Sequence, residues 1–331
     1  MQAVWPIGSS ALPPLGAPPE LAAIPIGIDE LRNRSDGRSF VVRRLSARPL
    51  IFHLKSFLTQ DECDALISAA KRKGLHKADT TMRKPYRISC DVSTVGASEE
   101  PAAAAAESDI VRTLLSKEAT SLPGGGSEDL HVLRYQPGGM YKPHYDAEAN
   151  PRYLTVLYYL NNKGATWFPF ADSAAFGDRM PTKVDVAPLK PDVDGLTMTP
   201  ASAGDALAFY NFDAEGAMER LALHAGMPAK DTKWIGSHFF WVPALCAPFA
   251  EEAETTRPTR PFREYLVQGM GAPHQRDSRH WLNVCSVSLM AGLLLAVSLW
   301  RSGKRPDGRA PEAPKRSKGQ HAKGPSHNKS N

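Results

Sequence analysis

Between Arg48 and Val242 the spacing of apolar positions changes once, from a helical period to a strand period. In "TQDECDALISAAKRKGL", Cys63, Leu66, Ile67 and Ala70 fall on one helical face. Thr59 and Glu62 form a capping box at its start, and Gly74 closes it. "GASEEPAAAAAESDIVRTLLSKEATSL" predicts a loop running into a second helix, which "PGGGSEDL" ends. From His131 the period shortens. "LHVLRYQ", "YLTVLYYLN", "DALAFYNF" and "KWIGSHFFWV" read as strands separated by turn residues, and "RPLIFHLKSFL" reads as a strand entering the fold. Helices followed by an all-β body predict an α+β chain: a sandwich or jelly roll with N-terminal helices packed outside.

The ends read differently. Residues 1–47 are Pro-rich and then polar, and predict a disordered leader with no secretory signal. The folded domain is expected over 48–245, followed by a charged linker over 246–280. "WLNVCSVSLMAGLLLAVSLW", residues 281–300, carries no charge and has Trp281 and Trp300 at its ends. As a helix it would span about 30 Å, the thickness of a bilayer's hydrocarbon, so it predicts a single C-terminal transmembrane helix. Residues 301–331 predict a basic disordered tail.

Charge and cysteine content narrow the function classes. The 331-residue chain has a formal net charge of +5, but from Arg301 onward there are nine Lys/Arg against two acids. The body is therefore slightly acidic, and a nucleic-acid-binding surface is not expected. Cys63, Cys90, Cys246 and Cys285 show no CxxC spacing, which argues against a zinc ribbon or a dithiol redox motif.

Candidate chemistry sits in "YKPHYDAEANPRYLTVLYYLNN". His144 and Asp146 are two apart, and in a strand such residues point to one face. A third ligand would come from a distant strand, and His224 in "LALHAGMP" is the candidate. Two histidines and one carboxylate leave three coordination positions open, which suits non-haem Fe(II) enzymes that bind a cosubstrate and O₂ together. Lys233, in the apolar run "KDTKWIGSHFFW", is half-buried by pattern and needs an anionic partner. A dicarboxylic acid could chelate the metal at one end and meet Lys233 at the other.

"YQPGGMYKPHYD", "RYLTVLYYLNNKGATWFP", "AGDALAFYNF" and "LHAGMPAKDTKW", in this order, resemble the prolyl 4-hydroxylase branch of the 2-oxoglutarate- and Fe(II)-dependent dioxygenases. The resemblance implies a double-stranded β-helix with iron held by His144, Asp146 and His224. It implies that Lys233 binds the distal carboxylate of 2-oxoglutarate, with Tyr135 and Thr166 supplying hydroxyls beside the cosubstrate. It also implies O₂ as the second cosubstrate, L-ascorbate as reductant, and release of succinate and CO₂. Arg152 matches a residue that orients peptide substrates, whereas Trp241 stands where a basic residue or histidine is common.

The expected activity is hydroxylation of a protein or peptide side chain, most of all proline at C4. Hydroxylation of another residue or a small molecule is the alternative within enzymes. A membrane-tethered, catalytically dead binding protein is the alternative outside them. The blander readings assign Gly138 and Gly139 to a turn before the ligand strand, Gly204-Asp205 to a hairpin turn, Trp167 and Phe168 to the core, and His131 and His238 to structural roles. The expected location is the endoplasmic reticulum membrane, with the lipid bilayer contacted through residues 281–300 and the catalytic domain on the cytosolic side.

Overall fold

The structure, a computed structural model, describes residues 17–78, 87–121, 125–147, 152–176, 179–213, 216–242 and 260–261. Helix α1 (Pro19–Ala22) and strands β1 (Asp29–Asn33), β2 (Ser39–Ser46) and β3 (Ile51–Lys55) lead into α2 (Gln60–Lys73). Strands β4 (His76–Lys77) and β5 (Arg87–Val95) and helices α3 (Pro101–Leu114) and α4 (Lys117–Ser121) follow. The body is then almost entirely β: β6 (Gly126–Ser127), β7 (Leu130–His144), β8 (Arg152–Tyr159) and β9 (Thr166–Phe168). After helix α5 (Lys183–Val186) come β10 (Leu196–Met198), β11 (Ala206–Tyr210), β12 (His224–Gly226), β13 (Lys233–Trp241) and β14 (Arg260–Pro261).

The strands join antiparallel in the order β1-β2-β3-β11-β8-β13-β7-β12-β9-β10. Strand β7 is the hinge of this curled sheet. Its first half lies between β13 and β5, and its last residues pair with β12. The antiparallel curl is that of a jelly roll, as the strand-rich pattern predicts.

Strand alternation builds two apolar layers. On β11, Ala206, Ala208 and Tyr210 face the helices, while Leu207 and Phe209 face the interior of the curl. The helix-side layer packs Leu66 of α2 and Ile110 of α3 against Val156, Tyr158 and Phe240. Each such fully buried aliphatic or aromatic side chain contributes about 1.5–3 kcal/mol. The α2 capping box is present, with the Thr59 side chain accepting from Glu62 N–H and Glu62 answering at Thr59 N–H. Gly74 follows the helix at φ 99.

Several expectations are corrected. The leader does not extend to residue 47: α1, β1 and β2 are built into the domain, with Leu21, Ile24, Phe40 and Val42 in its core. The signal was obscured because the β1–β2 hairpin is polar on its outer face. Its fastener is Arg34, 3% exposed. Arg34 Nε donates to Asp109 of α3 at 2.7 Å, and its Nη1 donates to Glu62 of α2 at 2.8 Å. Residues 260–261 of the expected linker pair with β6. Gly138 and Gly139 lie inside β7 rather than before it. Gly138 has φ 76, and the β5 register jumps from Met140 to Tyr135 across this bulge.

No helix among the described residues is long and apolar enough to cross a membrane. The span expected at 281–300 and the tail at 301–331 lie outside the described residues, as do Cys246 and Cys285. Cys63 and Cys90 are buried free thiols.

Candidate metal and cosubstrate site

His144 ends β7 and His224 begins β12, and the two are direct register partners. Asp146 lies past the strand end, in a turn, so its arrival beside His144 does not come from strand alternation. It is held by a hydrogen bond instead. Thr155 Oγ1 on β8 donates to Asp146 Oδ2 at 2.7 Å, and Asn211 Nδ2 donates to Thr155 Oγ1 at 2.9 Å. All three candidate ligands are buried, and one donor atom from each lies within 4.8 Å of the others.

The tautomers follow from the second nitrogen of each ring. His144 Nδ1 is 2.8 Å from the Lys142 carbonyl oxygen, and His224 Nδ1 is 3.0 Å from that of Ala222. A carbonyl oxygen only accepts, so each Nδ1 carries a proton and each Nε2 is the atom turned toward the cluster. Those Nε2 atoms lie 3.3 and 3.7 Å from the Asp146 carboxylate. Burial, and then the neighbouring His144, push His224 down to about 4. Burial alone would raise Asp146, but His224 and His144 hold it well below the usual carboxylate range. Two imidazole Nε2 atoms and one carboxylate therefore converge at one buried point. Such a donor set fits a divalent transition metal with open positions.

A cavity leads away from this cluster, walled by Tyr135, Tyr141, Thr166, Lys233 and Arg87. Lys233 opens β13 opposite Tyr135 of β7, and is 2% exposed. Its Nζ donates to the Met227 carbonyl at 2.5 Å and lies 4.3 Å from the Tyr135 ring centroid. No carboxylate pairs with it among the described residues, and burial pushes it down to about 8. Thr166 and Tyr159 share a hydrogen bond at 2.7 Å. The structure thus gathers His144, Asp146, His224, Lys233, Tyr135 and Thr166 around one cavity.

Arg152 does not wall that cavity. Its guanidinium grips Glu128 with two bonds of 2.6 and 2.8 Å and lies over the ring of Phe239, which does wall it. Trp241 Nε1 donates to the same Glu128 at 2.6 Å. His131 and His238 stand away from the metal cluster: His238 Nε2 meets the Glu128 carbonyl, and His131 packs on Phe239. Trp167 and Phe168 are core residues, and Phe168 also stacks on the His224 ring.

Sequence reasoning missed Thr155, Asn211, Tyr141 and Arg87. Tyr141 stacks on His144 at 3.5 Å between ring centroids, and Arg87 covers the Tyr141 ring at 4.2 Å. Arg87 Nε is buried and makes no hydrogen bond among the described residues. Strand β5, which carries Arg87, offered only the mixed pattern "RISCDVSTV". Thr155 was legible, since it shares a strand with Arg152, but an apolar strand gives no reason to choose one threonine.

Comparison with known proteins agrees with this geometry. The profile of the 2OG-Fe(II) oxygenase superfamily matches residues 130–241. Prolyl 4-hydroxylase 13 of Arabidopsis thaliana is 30% identical over 227 residues, covering 63% of this chain and 77% of the relative. Prolyl 4-hydroxylase 2 of the same plant is 32% identical over 213 residues, covering 59% and 69%. Among solved structures, the viral collagen prolyl hydroxylase of Paramecium Bursaria Chlorella virus-1 aligns at 23% identity, with a TM-score of 0.42, covering 57% of this chain and 94% of that one.

Proposed function

Because the chain belongs to the prolyl 4-hydroxylases of the 2OG-Fe(II) oxygenase superfamily, we propose that it hydroxylates proline in a protein or peptide at C4. The reaction consumes 2-oxoglutarate and O₂ and releases succinate and CO₂. One observation carries the reading: the His144 and His224 imidazoles and the Asp146 carboxylate share a cavity with a buried lysine that has no acid beside it. The first set calls for a divalent metal, and the second calls for a dicarboxylate.

In this reading His144 Nε2, His224 Nε2 and the Asp146 carboxylate hold Fe(II). Bound there, the metal supplies the activation of O₂ that couples decarboxylation of 2-oxoglutarate to oxidation of a C–H bond. The chain's own residues do the rest. Thr155 keeps the Asp146 carboxylate turned toward the histidines, and the Lys142 and Ala222 carbonyls fix both tautomers. The Lys233 ammonium meets the distal carboxylate, a charge-assisted contact that aligns the keto acid along the cavity. Tyr135 and Thr166 line the same wall. Arg152, held rigid by Glu128, orients the peptide at the Phe239 side. Apolar walls at Leu157 and Ile235 keep bulk water from the reacting carbon.

Three further elements belong to this proposal. L-Ascorbate serves as reductant, on the resemblance alone. Residues 281–300 anchor the protein in a bilayer as a single C-terminal span, on the absence of charge and the flanking tryptophans. The membrane is that of the endoplasmic reticulum, with the catalytic domain on the cytosolic side.

The test is succinate formation from 2-oxoglutarate with added Fe(II), with and without a Pro-rich peptide. Peptide-stimulated succinate, with one oxygen gained on proline, is the expected result. Succinate that no proline peptide stimulates would reject proline as the acceptor.

A further inference from the structure

The turn between β8 and β9, residues 160–165, frames Lys233 through three contacts, one on the lysine stem and two on its neighbours. Asn161 Nδ2 donates to the Thr232 carbonyl at 2.8 Å, and Trp234 N–H donates to Asn161 Oδ1 at 3.0 Å. One side-chain amide therefore clips the backbone on both sides of Lys233. Three residues on, Gly164 has φ +81, and a Cβ there would collide with Lys233 Cδ and press to 3.4 Å on Cε and Cγ. The lysine stem runs across the bare face of that glycine. Next in the chain, the Ala165 carbonyl accepts from Met227 N–H at 2.8 Å, and the Met227 carbonyl is the acceptor for Lys233 Nζ.

These contacts fix different degrees of freedom. The Asn161 clip sets where β13 begins and so where the Lys233 Cα lies. The Gly164 face sets the path of the four-carbon stem, which otherwise has many rotamers. The Ala165–Met227 link sets the carbonyl beside the ammonium. A lysine ordered in this way loses little conformational entropy when a carboxylate arrives, and preordering is where much affinity originates.

We propose that Asn161 is a positioning residue for Lys233 and that Gly164 is its steric partner, so that the β8–β9 turn sets affinity for the dicarboxylate without touching it. This rests on the reading that Lys233 anchors 2-oxoglutarate. It adds a residue of the turn to that site, together with a thermodynamic signature: Asn161 acts only through Lys233.

The experiment is a double-mutant cycle on the full chain, loaded with redox-inert Mn(II). Binding of Mn(II) alone and of 2-oxoglutarate to the Mn(II) form are both read by calorimetry. Asn161→Ala is expected to weaken 2-oxoglutarate at least fivefold and to leave Mn(II) affinity within twofold. In a Lys233→Ala background the same change is expected to do nothing further. Gly164→Ala should mimic Asn161→Ala, and it also keeps the test alive should that variant not fold. In turnover, KM for 2-oxoglutarate should rise while KM for the peptide holds. Additive effects of Asn161→Ala and Lys233→Ala, or equal losses of Mn(II) and 2-oxoglutarate binding, would overturn the proposal and assign Asn161 to general folding. Unchanged 2-oxoglutarate binding in Lys233→Ala alone would overturn the anchor itself, and the positioning role with it.

Discussion

The Lys233 ammonium lies 4.3 Å from the ring centroid of Tyr135, its register partner across β13 and β7. This cation is buried, borders an aromatic face and has no carboxylate beside it among the described residues. Lys233→Ala is expected to raise the KM for 2-oxoglutarate by about ten- to a hundredfold, the worth of a charge-assisted contact of about 1.5–3 kcal/mol. Metal binding should survive. An unchanged KM would move the anchor to another residue.

The same lysine gives a pH dependence. Burial pushes it down to about 8, so the charged form is lost as pH rises through that value. kcat/KM for 2-oxoglutarate reports the free enzyme and should fall above about pH 8. A bound dianion favours the ammonium, so kcat at saturating 2-oxoglutarate should hold to higher pH. Parallel declines of both parameters would assign the titration to another group.

Thr155 holds Asp146 without binding the metal itself. Thr155→Val keeps the shape and removes the hydroxyl. Metal affinity should fall by about ten- to a hundredfold, as for other residues that orient ligands, and the thermal midpoint should drop by a few degrees because Asn211 Nδ2 loses its acceptor. Titration of the chain with Mn(II) reads this directly. Wild-type affinity would show that the carboxylate needs no orienting bond.

Arg152 and Glu128 form a bidentate pair beside Phe239. Arg152→Ala is expected to raise the peptide KM and leave peptide-independent decarboxylation of 2-oxoglutarate unaltered. Loss of both activities would mean that the pair supports the fold rather than the acceptor.

Arg34 ties the β1–β2 hairpin to α2 and α3. Arg34→Ala leaves the buried Asp109 carboxylate with the half-exposed Arg112 and the Ser35 N–H as its remaining partners. Losing such a charge-assisted hydrogen bond costs about 1.5–3 kcal/mol, which a thermal melt would show as a drop of several degrees. An unchanged midpoint would show that Arg112 alone holds Asp109.

Topology has its own reporter. Asn33, in the sequon "NRS", is exposed on β1. With the catalytic domain in the cytosol, Asn33 should carry no glycan. A glycosidase-sensitive mass shift that Asn33→Gln removes would place the domain in the lumen.

The metal cluster was legible in the sequence because His144 and Asp146 stand two apart just before an apolar strand, and His224 offers a third ligand between two later strands. Lys233 was legible because a charge in an apolar run needs a partner. The route by which Asp146 reaches the cluster was not, since a side-chain bond from Thr155 replaces the alternation that the spacing suggested. The N-terminal hairpin was hidden for a related reason. Its place in the core depends on Arg34 meeting acids 28 and 75 residues away, and no local pattern records such a meeting. Gly138 read as a turn because a bulge and a turn use the same residue type; only pairing on both sides separates them.

Strand β7 carries Tyr135, opposite Lys233, and His144, opposite His224, on one unbroken backbone with the glycine bulge between them. It therefore works as a ruler that fixes the gap between the buried lysine and the candidate metal ligands. One residue inserted along it would advance His144 by about 3.3 Å and turn its side chain to the other face. An insertion between residues 135 and 144 would therefore separate the lysine from the histidines by a step that no side chain can absorb. Attempts to change the acceptor should leave this ruler uncut.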